Sequence, residues 1–205
     1  MRDFNRRLML VAAAALTLAA CNKGAGSGGP AMNDDMTMGD PNAKVKMVEY
    51  ASASCPHCAK FAIDVFPEVK KKYIDTGKVH YTFREILTSP PELAAAGFLM
   101  ARCAGKDKYF TVLDGVFRSQ QDWVATGDPI GSLKRVAASS GMSDDQFTAC
   151  ITDEKATKAL NARVEKYSTQ DNISATPTFI IGGKKLEGEQ SLADIEKAIA
   201  EAQAK

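Results

Sequence analysis

Cys55 and Cys58 stand three positions apart and enclose Pro56 and His57. A Cys-x-x-Cys pair supports three chemistries: a disulfide that trades electrons with other thiols, half of a tetrahedral zinc site, or a small structural bridge. For the first, the thiolate is the reacting species, so whatever lowers a cysteine's pKa controls the chemistry. Histidine between the two sulfurs offers a nearby positive charge or an N–H donor and ordinarily titrates near neutrality. For a zinc or copper site, Cys55 and Cys58 would need His57 or His80 and a second close pair of ligands, and no such pair is visible in the sequence.

The elements around the pair narrow the choice. Val45 to Tyr50 has the length and residue types of a strand, and Ala51 to Ser54 form a short loop. From Pro56 onward Phe61, Val65, Val69 and Tyr73 follow helical spacing, with Gly77 as the stop. Pro67 inside that run predicts a kink. Val79 to Phe83 reads as a second strand, with Val79, Tyr81 and Phe83 on one face. Strand, helix and strand in this order form a βαβ unit, normally right-handed and parallel. The cysteines therefore sit at a strand-to-helix junction, where free backbone N–H groups and the positive end of the helix dipole favour a thiolate on Cys55, the first and more exposed sulfur. A helix terminus contributes about 0.3–1 kcal/mol, or up to ~2 when partly buried, and one pKa unit is about 1.36 kcal/mol. The dipole thus accounts for roughly one unit, and the rest must come from neighbours such as His57. Stabilising the reduced thiolate makes the corresponding disulfide a stronger oxidant.

After Pro90-Pro91 the pattern turns helical: Leu93 to Cys103, Lys108 to Phe117, Ile130 to Ser139, Ser143 to Cys150 and Asp153 to Tyr167. Ser143-Asp-Asp-Gln has the form of a capping box. Phe98, Tyr109, Phe110, Val112, Phe117 and Trp123 are most simply core, some of them lining a substrate groove. Strand character returns at Thr178 to Ile181, where Gly182-Gly183 predicts a type I′ turn into Lys184 to Leu186. Ile195, Ala198 and Ile199 place a last helix. Pro177 opens the third strand, either as an ordinary trans proline or as a cis proline with a specific role. Glu49 lies opposite Val48 and Tyr50 on the first strand, and alternation alone leaves its burial open.

The chain of 205 residues carries 26 Lys+Arg against 25 Asp+Glu, which provides no net field for nucleic acid or an acidic substrate. Arg2, Arg6 and Arg7 precede the uncharged run Leu8 to Ala20. As a helix that run is roughly 20 Å long, short of a hydrocarbon core of about 30 Å, so residues 1–20 read as a secretory signal rather than an uncleaved anchor. Leu18-Ala-Ala-Cys21 resembles the bacterial lipobox, with Cys21 as the lipidated residue; a plain cleaved signal with a spare cysteine is the alternative. Export favours oxidised thiols, so Cys55, Cys58, Cys103 and Cys150 read as two disulfides. Neither Cys103 nor Cys150 belongs to a Cys-x-x-Cys, so their bridge is read as structural, with a redox relay or two free thiols as alternatives. Residues 21–42 have the composition of a flexible tether spanning roughly 25 Å. Met32, Met36 and Met38 beside Asp34 and Asp35 are read as filler in preference to a soft-metal site.

Taken together, Cys-Pro-His-Cys after a strand, a helical insertion, and Thr176-Pro177 before the last hairpin resemble the DsbA-like thiol:disulfide oxidoreductases, over residues 43–204. The resemblance implies an α/β thioredoxin-like fold built from residues 43–87 and 170–205, with an all-helical insertion at 88–169. It implies that Cys55 is the nucleophile, Cys58 its buried partner and His57 the stabiliser of the thiolate. Pro177 would be the cis-proline, Thr176 would present backbone groups to an extended substrate, and Glu49 would be a buried acid that relays protons to Cys58. No cofactor or metal is implied, and the chain is expected to be a monomer. The expected substrates are unfolded or partly folded exported proteins with thiols, and the expected reoxidant is a membrane partner resembling the quinone-linked DsbB proteins. The expected location is the periplasm, with a lipid anchor in a membrane. Thr176 stands where the best-known oxidases carry Val, and Thr also occurs in isomerase relatives, so a reductase or isomerase using the same pair is the alternative. Those isomerases carry a dimerisation domain where this chain has its tether, which disfavours the dimeric form.

Overall fold

The computed structural model describes residues 34–205; residues 1–33, on which the expected signal, the expected lipidation at Cys21, Met32 and most of the expected tether fall, lie outside the described residues. Five strands form one mixed sheet in the order β1-β3-β2-β4-β5. They are β1 (Met36–Met38), β2 (Val45–Ala51), β3 (Val79–Glu85), β4 (Thr178–Ile181) and β5 (Lys184–Glu187). β2 and β3 are parallel, while β1 on β3, β4 on β2 and β5 on β4 are antiparallel. The β2–β3 crossover contains α1 (Pro56–Lys60) and α2 (Phe66–Val69). Between β3 and β4 come α3 (Pro91–Cys103), α4 (Lys106–Thr126), α5 (Pro129–Ser139), α6 (Asp144–Thr152) and α7 (Glu154–Gln170); α8 (Leu192–Gln203) follows the hairpin. This is the thioredoxin-like α/β fold with an all-helical insertion.

β2 is covered on both faces, as a strand inside a parallel pair usually is. Met47 and Ala51 face the main core with Phe61, Phe83, Phe98 and Phe179, whereas Val48 and Tyr50 join Ile86, Tyr167 and Ile180 in a smaller core on the other side. Glu49 shares the face of Met47, so its carboxyl is aimed at the layer that holds α1. Gly182 and Gly183 both have positive φ, as a type I′ turn requires, and Ile181 stands opposite Lys184.

Four local differences from the sequence reading have physical reasons. The tether assigned to residues 21–42 fails at its C-terminal end: β1 pairs with β3, Met36 lies opposite Phe83, and Met36 is 5% exposed. Met-Thr-Met among Asp and Gly has little strand character of its own; the open edge of β3 and an ion pair from Asp35 to Arg84 recruit it. Pro67 does not simply kink its helix. π-helical turns at Phe61–Val65 and Lys70–Ile74 flank α2, and the Phe66 N–H bonds the Phe61 carbonyl, which puts Pro67 in the first turn of a new segment where its missing donor costs little. α4 runs to Thr126 rather than Phe117, because the polar run Arg118 to Asp122 hides a continuing buried face; Gly127 (φ +66) ends it. β3 runs on through Arg84 and Glu85, whose charges read as a strand end yet are buried and paired.

Those two side chains organise a polar seam between sheet and helices. Arg84 reaches Asp171 (2.9 Å), Asp35 (3.2 Å) and the Tyr50 hydroxyl (2.9 Å). Glu85 accepts from Arg102 (2.6 Å), Arg163 (3.1 Å) and Tyr109 (3.0 Å). Removing one partner from such a buried set costs about 3–5 kcal/mol, since it strands a charge in low dielectric.

Candidate active site

Cys55 is the N-cap residue of α1 in an extended conformation (φ −82°, ψ 122°), and Pro56 takes the first helical position, where a proline needs no donor. The Cys55 N–H bonds the Ser52 carbonyl at 3.1 Å. The Gln120 side-chain amide, from α4, donates to the carbonyls of Ala53 (2.9 Å) and Cys55 (3.3 Å). Ser54 is held to Thr88 by its hydroxyl. The loop that carries the nucleophile is thus fixed from both sides.

Cys55 and Cys58 are both free thiols in this structure. The Cys55 sulfur is 3.5 Å from the Thr176 carbonyl, and the Thr176–Pro177 peptide is cis. A hydrogen bond from the Cys58 thiol is the largest influence on Cys55; with help from Thr176 and the backbone N–H groups of Cys58 and His57, it outweighs burial and lowers the Cys55 pKa to about 5. Cys58 is fully buried, and that burial, followed by its bond to Cys55, pushes its thiol well above the ordinary range. The two sulfurs are therefore sharply unequal, one a thiolate at neutral pH and the other a thiol.

Glu49 is 2% exposed, and the Tyr81 hydroxyl donates to its Oε2 at 2.6 Å. Burial raises its pKa to about 8, against the Tyr81 bond and assisted by the charge of Cys55. Glu49 in turn raises the pKa of Cys58, so the two groups sense each other's proton. A group titrating near neutrality beside a buried thiol has the chemistry of a proton donor and acceptor for it.

His57 departs from the sequence reading. Its ring is 62% exposed and its Nδ1 lies 3.1 Å from Glu189 Oε2, so its contribution to Cys55 comes from its backbone N–H. Glu189 also accepts from Lys60, on the next turn. The strand pairing sets His80 beside Lys46 at the start of β2, whereas the cysteine pair follows the far end of that strand. Among the described residues no group of three or more His, Cys, Asp or Glu is arranged to hold a metal. Cys103 and Cys150 are bonded to each other, tying α3 to α6 with Cα atoms 6.0 Å apart.

Two hollows lie along the β2–β3 crossover, the first of them beside α1. One, of about 690 Å³, is lined by Pro56, Lys60, Pro90, Trp123, Val124 and Pro129, and Val124 is 90% exposed. The other, of about 610 Å³, lies over Glu49 and Tyr81 between Phe66, Phe110 and Phe117. Gln120 and Glu189 were missed in the sequence, and each comes to the site from far along the chain. Gln120 leaves one signal: it stands three residues from both Phe117 and Trp123, on the helix side that those two share. Glu189 leaves none.

The pattern of the thioredoxin family matches residues 31–201. A Rickettsia bellii protein, named provisionally as a protein-disulfide oxidoreductase, is 32% identical over 176 residues, which cover 84% of this chain and 67% of the relative. A Rickettsia conorii protein with the same provisional name is 34% identical over 171 residues, covering 83% of this chain and 61% of that one. The chain thus spans about two thirds or less of the length of these curated relatives. The crystal structure of Wolbachia pipientis alpha-DsbA1 superposes with a TM-score of 0.78 at 30% identity, covering 85% of this chain and 93% of that one. Fold, cysteine geometry and kinship agree, and the chain belongs to the thioredoxin family, among its DsbA-like thiol:disulfide oxidoreductases.

Proposed function

We propose that this protein is an oxidase of exported proteins, passing the Cys55–Cys58 disulfide to substrate dithiols. The inequality of the two sulfurs carries the reading: Cys55 is lowered to about 5 while Cys58 is buried and raised. In the first step a substrate thiolate attacks Cys55 of the oxidised protein. A mixed disulfide forms and the electron pair leaves on Cys58, which takes a proton that Glu49 can supply. A second substrate thiolate then attacks the substrate sulfur of the mixed disulfide and expels Cys55. Cys55 is a good leaving group because its thiolate is stable. The substrate gains a disulfide and the protein holds two thiols, so electrons balance. The backbone of Thr176 supports a substrate strand laid beside Cys55, in the manner of strand addition. The apolar hollow at Pro56, Trp123 and Val124 offers a place for flanking side chains.

The N-terminal sequence supports a periplasmic location, with lipidation at Cys21 and a reoxidant in the membrane resembling the DsbB proteins. Monomeric action on thiol-bearing exported chains fits that setting. The test is stoichiometric oxidation of a reduced, unfolded disulfide protein by the oxidised chain. The substrate should gain disulfides as the pair becomes reduced, and a Cys58→Ser variant, its reduced Cys55 presented with the disulfide form of that substrate, should hold the mixed disulfide, because the variant has no second thiol to release it. Substrate left unoxidised, with no mixed disulfide trapped, would remove the proposal.

A further inference from the structure

We infer that Glu189 is a positioning residue of the redox site: by holding the His57 imidazole and the Lys60 ammonium on its own carboxylate, it keeps the oxidising power of the Cys55–Cys58 pair below the level those two groups would otherwise confer. The inference deepens the oxidoreductase reading and rests on it.

The turn that presents Glu189 is fastened to the site. Gly188 adopts φ +80°, a conformation that side-chain-bearing residues rarely take, and its N–H donates to the Pro177 carbonyl at 2.8 Å. Glu189 thereby projects from the residue next to the one bonded to the cis-proline. Its Oε2 lies 3.1 Å from His57 Nδ1, and its Oε1 accepts from Lys60 Nζ. His57 and Lys60 are three residues apart on one helix, so a single carboxylate spans both. Glu189 is held ionised, chiefly by Lys60 and then by His57.

The consequences for Cys55 share one sign. A carboxylate at the rim opposes a thiolate through its own charge, and it occupies an imidazole and an ammonium that would otherwise be available to stabilise that thiolate. The buried Glu49 acts in the same direction from beneath only where it ionises, toward pH 8 and above. What favours the thiolate in this state is the Cys58 thiol, Thr176 and two backbone N–H groups, with no imidazole among them. Glu189 itself is 39% exposed, and exposed ion pairs add little to folding, so its loss leaves the fold intact.

The test uses the full-length protein with Glu189→Gln and Glu189→Asp, alone and in a variant lacking both cations (His57→Ala with Lys60→Gln). Cys55 is titrated by its thiolate absorbance, and the pair is equilibrated with glutathione. Glu189→Gln should lower the Cys55 pKa by on the order of half a unit, the scale of a charge screened by water, and shift the equilibrium about threefold toward the reduced protein. Glu189→Asp should recover most of the wild-type values, and the Glu189→Gln shift should shrink by more than half once both cations are gone. An unchanged pKa and equilibrium in Glu189→Gln would overturn the inference, as would a shift that persists undiminished without the cations. A wild-type protein that never exchanges with glutathione would instead defeat the oxidoreductase reading, while the titration would still decide the role of Glu189.

Discussion

At the scale of single residues, the chemistry lies in three protons. Cys55 is an acid whose pKa falls on folding from an ordinary thiol value to about 5. An acid with a depressed folded pKa contributes stability that is complete above the unfolded value, near 8.5–9, and is lost as pH falls through 5. The reduced protein should therefore gain on a Cys55→Ser variant as pH rises from about 5, by about 2–3 kcal/mol at pH 7, measurable by denaturant titration across pH. A pH-independent difference would contradict the assignment. Glu49 runs the other way, since burial raises its pKa to about 8. A raised acid stabilises the fold only while protonated in both states, so its cost grows between about pH 4.5 and 8. Glu49→Gln should accordingly stabilise the protein at pH 7, on the order of 3 kcal/mol, and much less at pH 4. The same variant should slow thiol exchange roughly tenfold or more, because Cys58 loses its proton partner, and should erase an inflection near pH 8 in the rate profile. A rate profile unchanged by Glu49→Gln would remove Glu49 from the proton path.

At the scale of elements, the site depends on what packs against α1. Gln120 ties α4 to the Cys55 loop through two carbonyls. Gln120→Ala should cost about 1–2 kcal/mol by leaving those acceptors unpaired, and should speed amide exchange in residues 53–55 more than elsewhere. Uniform exchange rates would show that the loop is held by other means. The Cys103–Cys150 bridge closes a 47-residue separation away from the redox pair. Replacing both with Ala should lower stability by roughly 4 kcal/mol and leave Cys55 alkylation unchanged. What was legible in sequence at this scale was what local pattern controls: the βαβ unit from apolar spacing, the hairpin from Gly182-Gly183, and the start of α6 from the Ser143 capping box. What was not legible depends on partners far along the chain. β1 exists because β3 has an open edge, β3 keeps Arg84 and Glu85 because Asp35, Asp171, Arg102 and Arg163 converge on them, and α4 continues because its polar stretch conceals a buried side. The cysteine pair could be read in the same way, from a motif at a junction. The direction of the His57 ring could not, since Glu189 lies 132 residues away.

At the scale of the molecule, the sheet and the insertion each supply half of the redox environment. β2 delivers Glu49 and the loop to Cys55, and β4 brings Thr176–Pro177 against the sulfur; α4 closes the loop from the other side. The proposed preference for the reduced state rests on the donors that the fold offers to Cys55 and on the burial of Cys58, since the oxidised state has no thiolate to benefit. The central claim is therefore one of redox equilibrium. It is tested most directly by equilibrating the protein in glutathione buffers and reading the thiols of Cys55 and Cys58 by alkylation and mass. The account predicts a pair that stays reduced until the buffer is strongly oxidising, with a potential nearer the oxidant end of the thioredoxin-fold range, about −120 mV, than the reductant end, about −270 mV. A pair that remains oxidised even in reducing buffer would contradict it.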